Sequence, residues 1–141
     1  MTDARVEPIP VEATRPLRQA VLRPFLELEQ LAGSEPPGAV AFGVLGDAGA
    51  PVAVGLIGEE GEPGAWRIRG MATAPEARGR GFGGEVLAAL VAHAAARGAR
   101  RIWCNARTTA LTLYAREGFE VVSDEWDEPR IGPHVRMSLS V

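Results

Sequence analysis

The chain contains no lysine, one cysteine and one tyrosine, and it has no long apolar run. A lone cysteine excludes a disulfide within the chain, and the lack of a long apolar run argues against a membrane-spanning helix. The N-terminus lacks the charged-then-apolar pattern of a secretory signal, so we expect a cytoplasmic protein without membrane contact. The formal net charge of −3 gives no support for a nucleic-acid partner.

The remaining composition is ordinary for a globular protein, with 46% hydrophobic and 23% charged residues. A length of 141 residues suffices for one hydrophobic core, so we expect residues 1–141 to form a single domain. The two histidines, His93 and His134, are far apart, and no cysteine–histidine spacing fits a metal site. We therefore expect no metal.

Apolar runs separated by glycine-rich turns predict the strands. They lie at 39–45, 51–57, 66–72, 101–106, 119–126 and 134–141, after a weaker edge strand at 5–10. The longest helical pattern, at 82–97, separates two of these strands and permits them to pair in parallel. A shorter helix is predicted at 109–117, and Thr14 is the predicted N-cap of an N-terminal helix. The order predicts an α+β fold whose mixed, mostly antiparallel sheet turns parallel at its centre and is flanked by helices.

A glycine-rich loop lies between the strand at 66–72 and the helix at 82–97. It reads Arg78-Gly79-Arg80-Gly81-Phe82-Gly83-Gly84. Free backbone N–H groups converge at a helix N-terminus, the helix dipole adds partial positive charge, and glycines let a phosphate approach the main chain. The two arginines can add charge-assisted contacts. The loop therefore predicts a site for a phosphorylated cofactor.

Three known glycine patterns can be compared with this loop. A Walker A loop needs a lysine after its last glycine, and the chain has none. A dinucleotide fingerprint is matched by Gly79, Gly81 and Gly84, but the loop does not directly follow a strand, and no acid lies about 20 residues further on. The third pattern, Arg-x-x-Gly-x-Gly, is matched by Arg78, Gly81 and Gly83.

The segment from Ile68 to Phe119 resembles the core of the GNAT superfamily, the acyl-CoA-dependent N-acyltransferases. The matching pieces follow in order: Arg69-Gly70-Met71-Ala72-Thr73, Arg78-Gly79-Arg80-Gly81-Phe82-Gly83, Ala99-Arg100-Arg101-Ile102-Trp103-Cys104-Asn105-Ala106 and Ala110-Leu111-Thr112-Leu113-Tyr114-Ala115-Arg116-Glu117-Gly118-Phe119. The tail around Gly132-Pro133-His134 also resembles a subgroup of small bacterial members. The resemblance implies that the central parallel strands splay apart and that the last strands can form a homodimer. It also implies direct transfer of an acetyl group from acetyl-CoA to a primary amine.

The resemblance also implies how acetyl-CoA would be held. The backbone amides from Arg78 to Gly84 would bind the CoA pyrophosphate, with at least one of the two loop arginines on a phosphate. The main chain of Met71, Ala72 and Thr73 would receive the pantetheine arm and polarise the thioester carbonyl. The side chain of Met71 can pack in the core while its main chain has this role.

The resemblance implies that two side chains contact the cofactor or take part in the reaction, and a third is a candidate because of its position and chemistry. Asn105 would hydrogen-bond pantetheine, although an asparagine at that place can equally cap the following helix. Tyr114 would contact the cofactor and protonate the leaving CoA thiolate, the alternative being an aromatic packed in the core. His134 is a candidate general base, but a histidine at a strand start is also commonly structural.

The general base and the acceptor stay open at this stage. Many family members carry an acid on the strand before the glycine loop, whereas the strand at 66–72 carries none. An acid elsewhere, such as Glu59 or Glu60, and ordered water are therefore alternatives to His134. Small amines and amines of proteins or peptides are all compatible acceptors. The missing acid also leaves open a non-catalytic acyl-CoA-binding sensor or interaction module on the same scaffold.

Overall fold

A computed structural model describes residues 6–141. Its strands are β1 Val6–Ile9, β2 Val40–Leu45, β3 Pro51–Glu59, β4 Ala65–Thr73, β5 Arg101–Arg107, β6 Glu120–Val121, β7 Trp126–Glu128 and β8 Gly132–Ser140. Its α-helices are α1 Arg15–Leu22, α2 Leu28–Leu31, α3 Phe82–Ala96 and α4 Leu111–Arg116. No helix within these residues has the length and apolarity needed to cross a membrane. The predicted edge strand at 5–10 corresponds to β1, and Arg5 lies outside the described residues.

One eight-stranded sheet runs through the molecule in the order β1-β2-β3-β4-β5-β8-β6, and β7 also pairs with β8. Neighbouring strands are antiparallel apart from β4 and β5, which are parallel and joined through α3. The α+β fold with a mixed, mostly antiparallel sheet is therefore confirmed. The predicted last hairpin differs in detail, because residues 119–126 supply only β6 and the start of β7, and both short strands pair with β8.

Helix α3 covers the centre of the sheet with the apolar face that the sequence predicts. Leu87, Leu90 and Ala94 are fully buried, together with Val86, the neighbour of Leu87 in the chain. Burying each of the larger side chains contributes roughly 1.5–3 kcal/mol. Gly98 follows the helix with φ +87, the left-handed conformation that ends a helix.

The sheet opens between its two parallel strands. β4 and β5 pair only over Ala65–Arg67 and Arg101–Trp103, although β4 continues to Thr73 and β5 to Arg107. Their outer edges stay paired with β3 and β8 over these further residues. The inner edges therefore carry main-chain N–H and C=O groups without a strand partner, which water or a ligand must satisfy.

A β-bulge lies at the beginning of this open stretch. Gly70 and Met71 of β4 stand opposite the single residue Gly55 of β3, where the register shifts. Gly70 has φ +66, which favours glycine, and a Cβ built on it would lie 2.9 Å from Nε of Arg18. Glycine at this place lets the bulge form and lets Arg18 pack directly over it.

The N-terminal helix is held by a buried ion pair. Arg18 is 3% exposed, and its Nη1 donates to Glu35 Oε2 at 2.6 Å and to Thr14 Oγ1 at 3.2 Å. Arg15 donates to both carboxylate oxygens of Glu35, at 2.9 and 2.8 Å. Thr14 is the N-cap residue of α1 as predicted, but its hydroxyl makes no cap bond, because it donates to Val11 O at 2.6 Å and accepts from Arg18.

We expect Glu35→Gln to lower the free energy of unfolding by about 3 kcal/mol at neutral pH, because it leaves the buried Arg18 guanidinium without its counter-charge. Hydrogen bonds from Arg15, opposed by burial and supported by Arg18, hold the pKa of the Glu35 carboxyl below its usual value. A lowered folded-state pKa gives stability that is present above the unfolded-state pKa and is lost as pH falls through the folded-state pKa. Urea unfolding at neutral and acid pH should therefore show the cost of the substitution shrinking with acidification.

Arg101→Gln is the matched control. It breaks the exposed ion pair between Arg101 Nη2 and Glu62 Oε1, which lie 3.0 Å apart. The free energy of unfolding should fall by less than about 1 kcal/mol. Equal costs for the two variants, or a cost of Glu35→Gln that does not change with pH, would contradict the role given to the buried pair.

Candidate active site

The glycine loop has the backbone geometry that an anion site requires. Gly79 and Gly81 have φ +80 and +81, and Gly81 is the N-cap of α3. A Cβ at either glycine, or at Gly84, would meet no atom within 4 Å, so the loop is open on that side. Phe82 packs against the core and anchors the start of the helix. The free N–H groups of the first turn and the positive end of the helix dipole are therefore available to a ligand.

The loop is fixed to the end of β4 and to α4, while its arginines stay exposed. A Cβ built on Gly83 would lie 3.6 Å from Thr73 Oγ1 and 3.7 Å from Leu113. Arg78 donates from Nε to the carbonyl oxygen of Thr73 at 3.3 Å, and Arg80 is exposed on the surface. The anion-binding geometry therefore lies directly beside the open stretch of β4.

A cleft occupies the place where β4 and β5 part, and it has two connected parts. The first, which we call the tyrosine pocket, measures about 140 Å³ and includes Met71, Ala106, Arg107, Ala110, Leu113 and Tyr114. The second, the arginine pocket, measures about 220 Å³ and includes Arg18, Leu26, Leu31, Ser34, Arg67 and Glu128. The residues common to both are Leu22, Arg23, Ile68, Arg69, Gly70, Asn105 and His134.

Tyr114 lies deep in the tyrosine pocket. It is 6% exposed and packs edge-on against Phe119, with ring centroids 5.7 Å apart. Burial, with a smaller contribution from Cys104, raises the pKa of its phenol. The hydroxyl is therefore protonated at neutral pH and can act as a proton donor. Core packing and contact with the cleft, which the sequence left as alternatives, coexist in this side chain.

Met71, Ala72 and Thr73 follow the bulge on the open part of β4. The Met71 side chain packs over Gly55 against α3, and Ala72 is 5% exposed. Ala72 and Thr73 keep their pairing with β3 on the outer edge. Because their side chains are largely packed against other residues, a ligand in the cleft would contact the main chain on the inner edge.

Asn105 lines both parts of the cleft and does not cap a helix. Its Oδ1 accepts a hydrogen bond from Nε of Arg136 at 3.1 Å, and the turn that follows β5 has no side-chain cap at its N-cap residue, Arg107. Because an arginine only donates, this bond identifies the oxygen of the amide and leaves its NH₂ group as a donor for another partner.

His134 also lines both parts of the cleft, opposite Arg107 in the strand pairing. It is 6% exposed, and its ring lies beside that of Trp126 with centroids 5.9 Å apart. Its Nδ1 is 2.9 Å from the carbonyl oxygen of Gly132. Since a carbonyl can only accept, Nδ1 carries the proton, and Nε2 holds the lone pair of the neutral ring.

The arginines of the cleft were not identified from the sequence. Arg67 and Arg69 flank Ile68, and because residues two apart share one face of a strand, both reach the same pocket. Arg18 comes from α1, and Arg23 follows that helix directly. Two arginines alternating with a buried isoleucine in an otherwise apolar strand were the available signal. The contributions from α1 depend on tertiary contacts that no local pattern contains.

Glu60, which the sequence left as a candidate base, is engaged in ion pairs. Its Oε2 accepts from Arg67 at 2.9 Å and lies 3.4 Å from Nη2 of Arg69. Although burial opposes the effect, these arginines hold the pKa of the Glu60 carboxyl below its usual value. A carboxylate stabilised in this way is a poor proton acceptor, so Glu60 supports the arginines rather than serving as a base.

Neither Cys104 nor His93 is suited to a part in catalysis, and metal binding is not indicated within residues 6–141. Burial raises the pKa of the Cys104 thiol to about 12, which keeps it protonated and unreactive. The second histidine, His93, lies outside the cleft between the rings of Phe42 and Trp66, with centroid distances of 5.8 and 6.1 Å. The described residues contain no cluster of histidine, cysteine and acidic side chains that could hold a metal ion.

Known proteins resemble this chain in sequence and in fold. Residues 7–119 match the acetyltransferase (GNAT) family. The chain is 31% identical over 138 residues to the uncharacterized N-acetyltransferase YitI of Bacillus subtilis (strain 168), covering 94% of this chain and 93% of that protein.

Solved structures share the fold at lower identity. The phosphinothricin acetyltransferase of Sinorhizobium meliloti, determined in complex with AcCoA, superposes with a TM-score of 0.76 at 18% identity, covering 99% of this chain and 89% of that one. The ribosomal-protein-S18-alanine N-acetyltransferase of Escherichia coli superposes with a TM-score of 0.77 at 16% identity, covering 96% and 92%. With the matching family segment and the related B. subtilis protein, these findings show that the chain belongs to the GNAT acetyltransferase family.

Proposed function

We propose that the protein is an N-acetyltransferase that transfers an acetyl group from acetyl-CoA directly to the primary amine of an acceptor. The observation that carries this proposal is the cleft between β4 and β5, which opens beside a glycine loop with anion-binding geometry. A phosphorylated cosubstrate bound at the loop would be adjacent to unpaired main-chain groups and to the buried Tyr114. No described feature favours the non-catalytic alternative.

The residues present fit acetyl-CoA as the acyl donor. Its pyrophosphate would be bound by the loop amides from Arg78 to Gly84, with the exposed arginine side chains able to contact phosphate oxygens. The pantetheine arm would lie along the free inner edge of β4 at Met71–Thr73, where main-chain N–H groups can polarise the thioester carbonyl. The free NH₂ group of Asn105 would donate to the same arm.

The reaction requires a proton to leave the amine and another to reach the thiolate. The amine nitrogen would form a bond to the thioester carbon, and the carbon–sulfur bond would then break. Nε2 of His134 would accept the amine proton, and Tyr114 would protonate the leaving thiolate. The phenol stays protonated at neutral pH, and the burial that makes it a weaker acid also makes the thiolate in the cleft a stronger base.

Gly81→Glu is expected to abolish binding of acetyl-CoA. It places a carboxylate at the N-terminus of α3, where it would repel the pyrophosphate and occupy its approach. Acetyl-CoA at about 100 times its dissociation constant should stabilise the wild-type protein by about 2.7 kcal/mol. Thermal unfolding with and without acetyl-CoA should show this shift in the wild type and none in the variant.

Gly49→Glu is the control for backbone strain. Gly49 has φ +86 and no atom within 4 Å of a built Cβ, so it matches Gly81 in both respects but lies in the β2–β3 turn. Acetyl-CoA should raise the unfolding midpoint of Gly49→Glu by as much as it raises that of the wild type. A retained shift in Gly81→Glu would remove the glycine loop from the binding site.

Tyr114→Phe is expected to lower kcat about 100-fold and to leave the KM for acetyl-CoA nearly unchanged, because it removes only the proton donor. Phenylalanine preserves the packing against Phe119, so the unfolding midpoint should stay close to that of the wild type. Thiol release from acetyl-CoA measures both constants. An unchanged kcat would show that another group, or water, protonates the thiolate.

His134→Gln is expected to lower kcat at least 10-fold, because it removes the candidate proton acceptor. Glutamine can still donate to the carbonyl oxygen of Gly132, but it cannot accept the amine proton. His93→Gln is the control, since His93 lies outside the cleft, and its kcat should match that of the wild type. An unchanged kcat in His134→Gln would assign the base to water or to another residue.

A further inference from the structure

We infer that the acceptor is a small zwitterionic amine, whose carboxylate or phosphate is bound in the arginine pocket while its amine lies beside His134. The inference rests on the proposed acetyl transfer and adds the chemical class of the acceptor. It is carried by the charge, the hydrogen-bonding state and the position of the arginine pocket.

The arginine pocket concentrates positive charge in a chain whose net charge is −3. Four guanidinium groups line it, from Arg18, Arg23, Arg67 and Arg69, and the one carboxylate among the described lining residues is that of Glu128. Two further carboxylates contact these arginines, but each is shared between two guanidinium groups. The excess of positive charge is therefore left for a ligand to neutralise, and guanidinium forks match the oxygens of carboxylate and phosphate.

Several donors of these arginines have no acceptor within residues 6–141. Nε of Arg67 and Nε of Arg69 are buried without a hydrogen-bond partner. Arg23 forms no ion pair with a described carboxylate, and its Nη1 donates to the carbonyl oxygen of Leu22 at 3.0 Å. Burial lowers the pKa of Arg23, with a smaller contribution from the charge of Arg107 and an opposing one from Glu128. An oxyanion in the pocket would give Arg23 the counter-charge that it lacks among these residues.

The two parts of the cleft place the anion and the amine at a short separation. His134, Arg69 and Arg23 line both parts, so an amine at the junction beside His134 has the arginines within the same cleft. The arginine pocket measures about 220 Å³. At about 30 Å³ per water molecule this is the space of about seven waters, which suits a ligand of amino-acid size. A polyamine would instead bring a second positive charge to the arginines, which is unfavourable.

The test compares pairs of primary amines in which one member carries an oxyanion group and the other lacks it. Thiol release from acetyl-CoA would be measured at constant ionic strength with the common L-amino acids against their carboxamides, and with O-phosphoethanolamine against ethanolamine. In the series that the enzyme acetylates, we expect kcat/KM to be at least 10-fold higher for the anionic acceptor than for its neutral partner. Which series is acetylated distinguishes a carboxylate from a phosphate. A preference for the neutral member, or a C-terminally amidated neutral peptide turned over better than either series, would overturn the inference.

Variants then link the preference to the pocket. Arg69→Gln, and separately Arg23→Gln, should lower kcat/KM about 10-fold or more for the anionic acceptor and clearly less for the neutral acceptor, and Arg69→Lys should restore part of the loss. Arg23→Gln breaks no described ion pair, so it tests the pocket even where Arg69→Gln perturbs folding. Arg101→Gln, on an exposed pair at the far end of β5, should leave both acceptors unaffected. Equal losses for both acceptors in the pocket variants would show a merely structural role.

One further measurement separates this inference from the proposed function. Binding of acetyl-CoA by thermal shift tests the cosubstrate site without an acceptor. Inorganic sulfate, added with CoA already saturating the glycine loop, tests the arginine pocket without transfer. Sulfate should stabilise the wild type more than Arg23→Gln, and an equal effect on both would overturn the anion site even when acetyl-CoA binds. If neither acetyl-CoA nor CoA binds, but sulfate alone still stabilises the wild type more than Arg23→Gln, the proposed function fails and the anion site is supported.

Discussion

The parting of β4 and β5 after three residue pairs is the constraint on which the rest of the site depends. Two neighbouring strands that stop pairing inside a sheet leave main-chain donors and acceptors exposed along both inner edges. The bulge at Gly70 bends β4 at the place where pairing ends. The same separation makes room for the cleft and brings Tyr114, Asn105 and His134 to its walls. The functional geometry is therefore a property of the backbone first and of side chains second.

Helix α1 is held in place beside the opening by an ion pair. Arg18 packs over Gly70 and is neutralised by Glu35, which lies 17 residues further along the chain and is also bound by Arg15. A buried pair of this kind adds little net stability over an apolar contact, but losing one partner is costly. Its contribution is to fix the position of α1, so that the wall of the arginine pocket is set by hydrogen bonds as well as by apolar packing.

The sequence predicts the parts of this molecule that are local, and it fails where contacts are distant. Glycines and apolar alternation predict the strands, and the spacing of Leu87 and Leu90 predicts the buried face of α3, because both patterns express periods of the backbone. The loop at Gly79 and Gly81 is predictable because only glycine adopts its φ values readily. The pairing of Arg18 with Glu35 could not be predicted, since charge partners are chosen by the tertiary fold. Thr14 shows the same limit, since its hydroxyl serves a buried arginine instead of a helix end.

The charge of the arginine pocket also bears on the first proton transfer. A primary amine is protonated at neutral pH and must lose that proton before it can attack the thioester. Guanidinium groups nearby disfavour the ammonium form and lower its pKa, whereas an anion on the same molecule offsets the repulsion and keeps the ligand bound. The strand before the glycine loop carries no acid that could serve as a strong base. In the proposed reaction, an arginine-lined pocket would partly compensate for the missing acid, because it would make the amine easier for His134 to deprotonate.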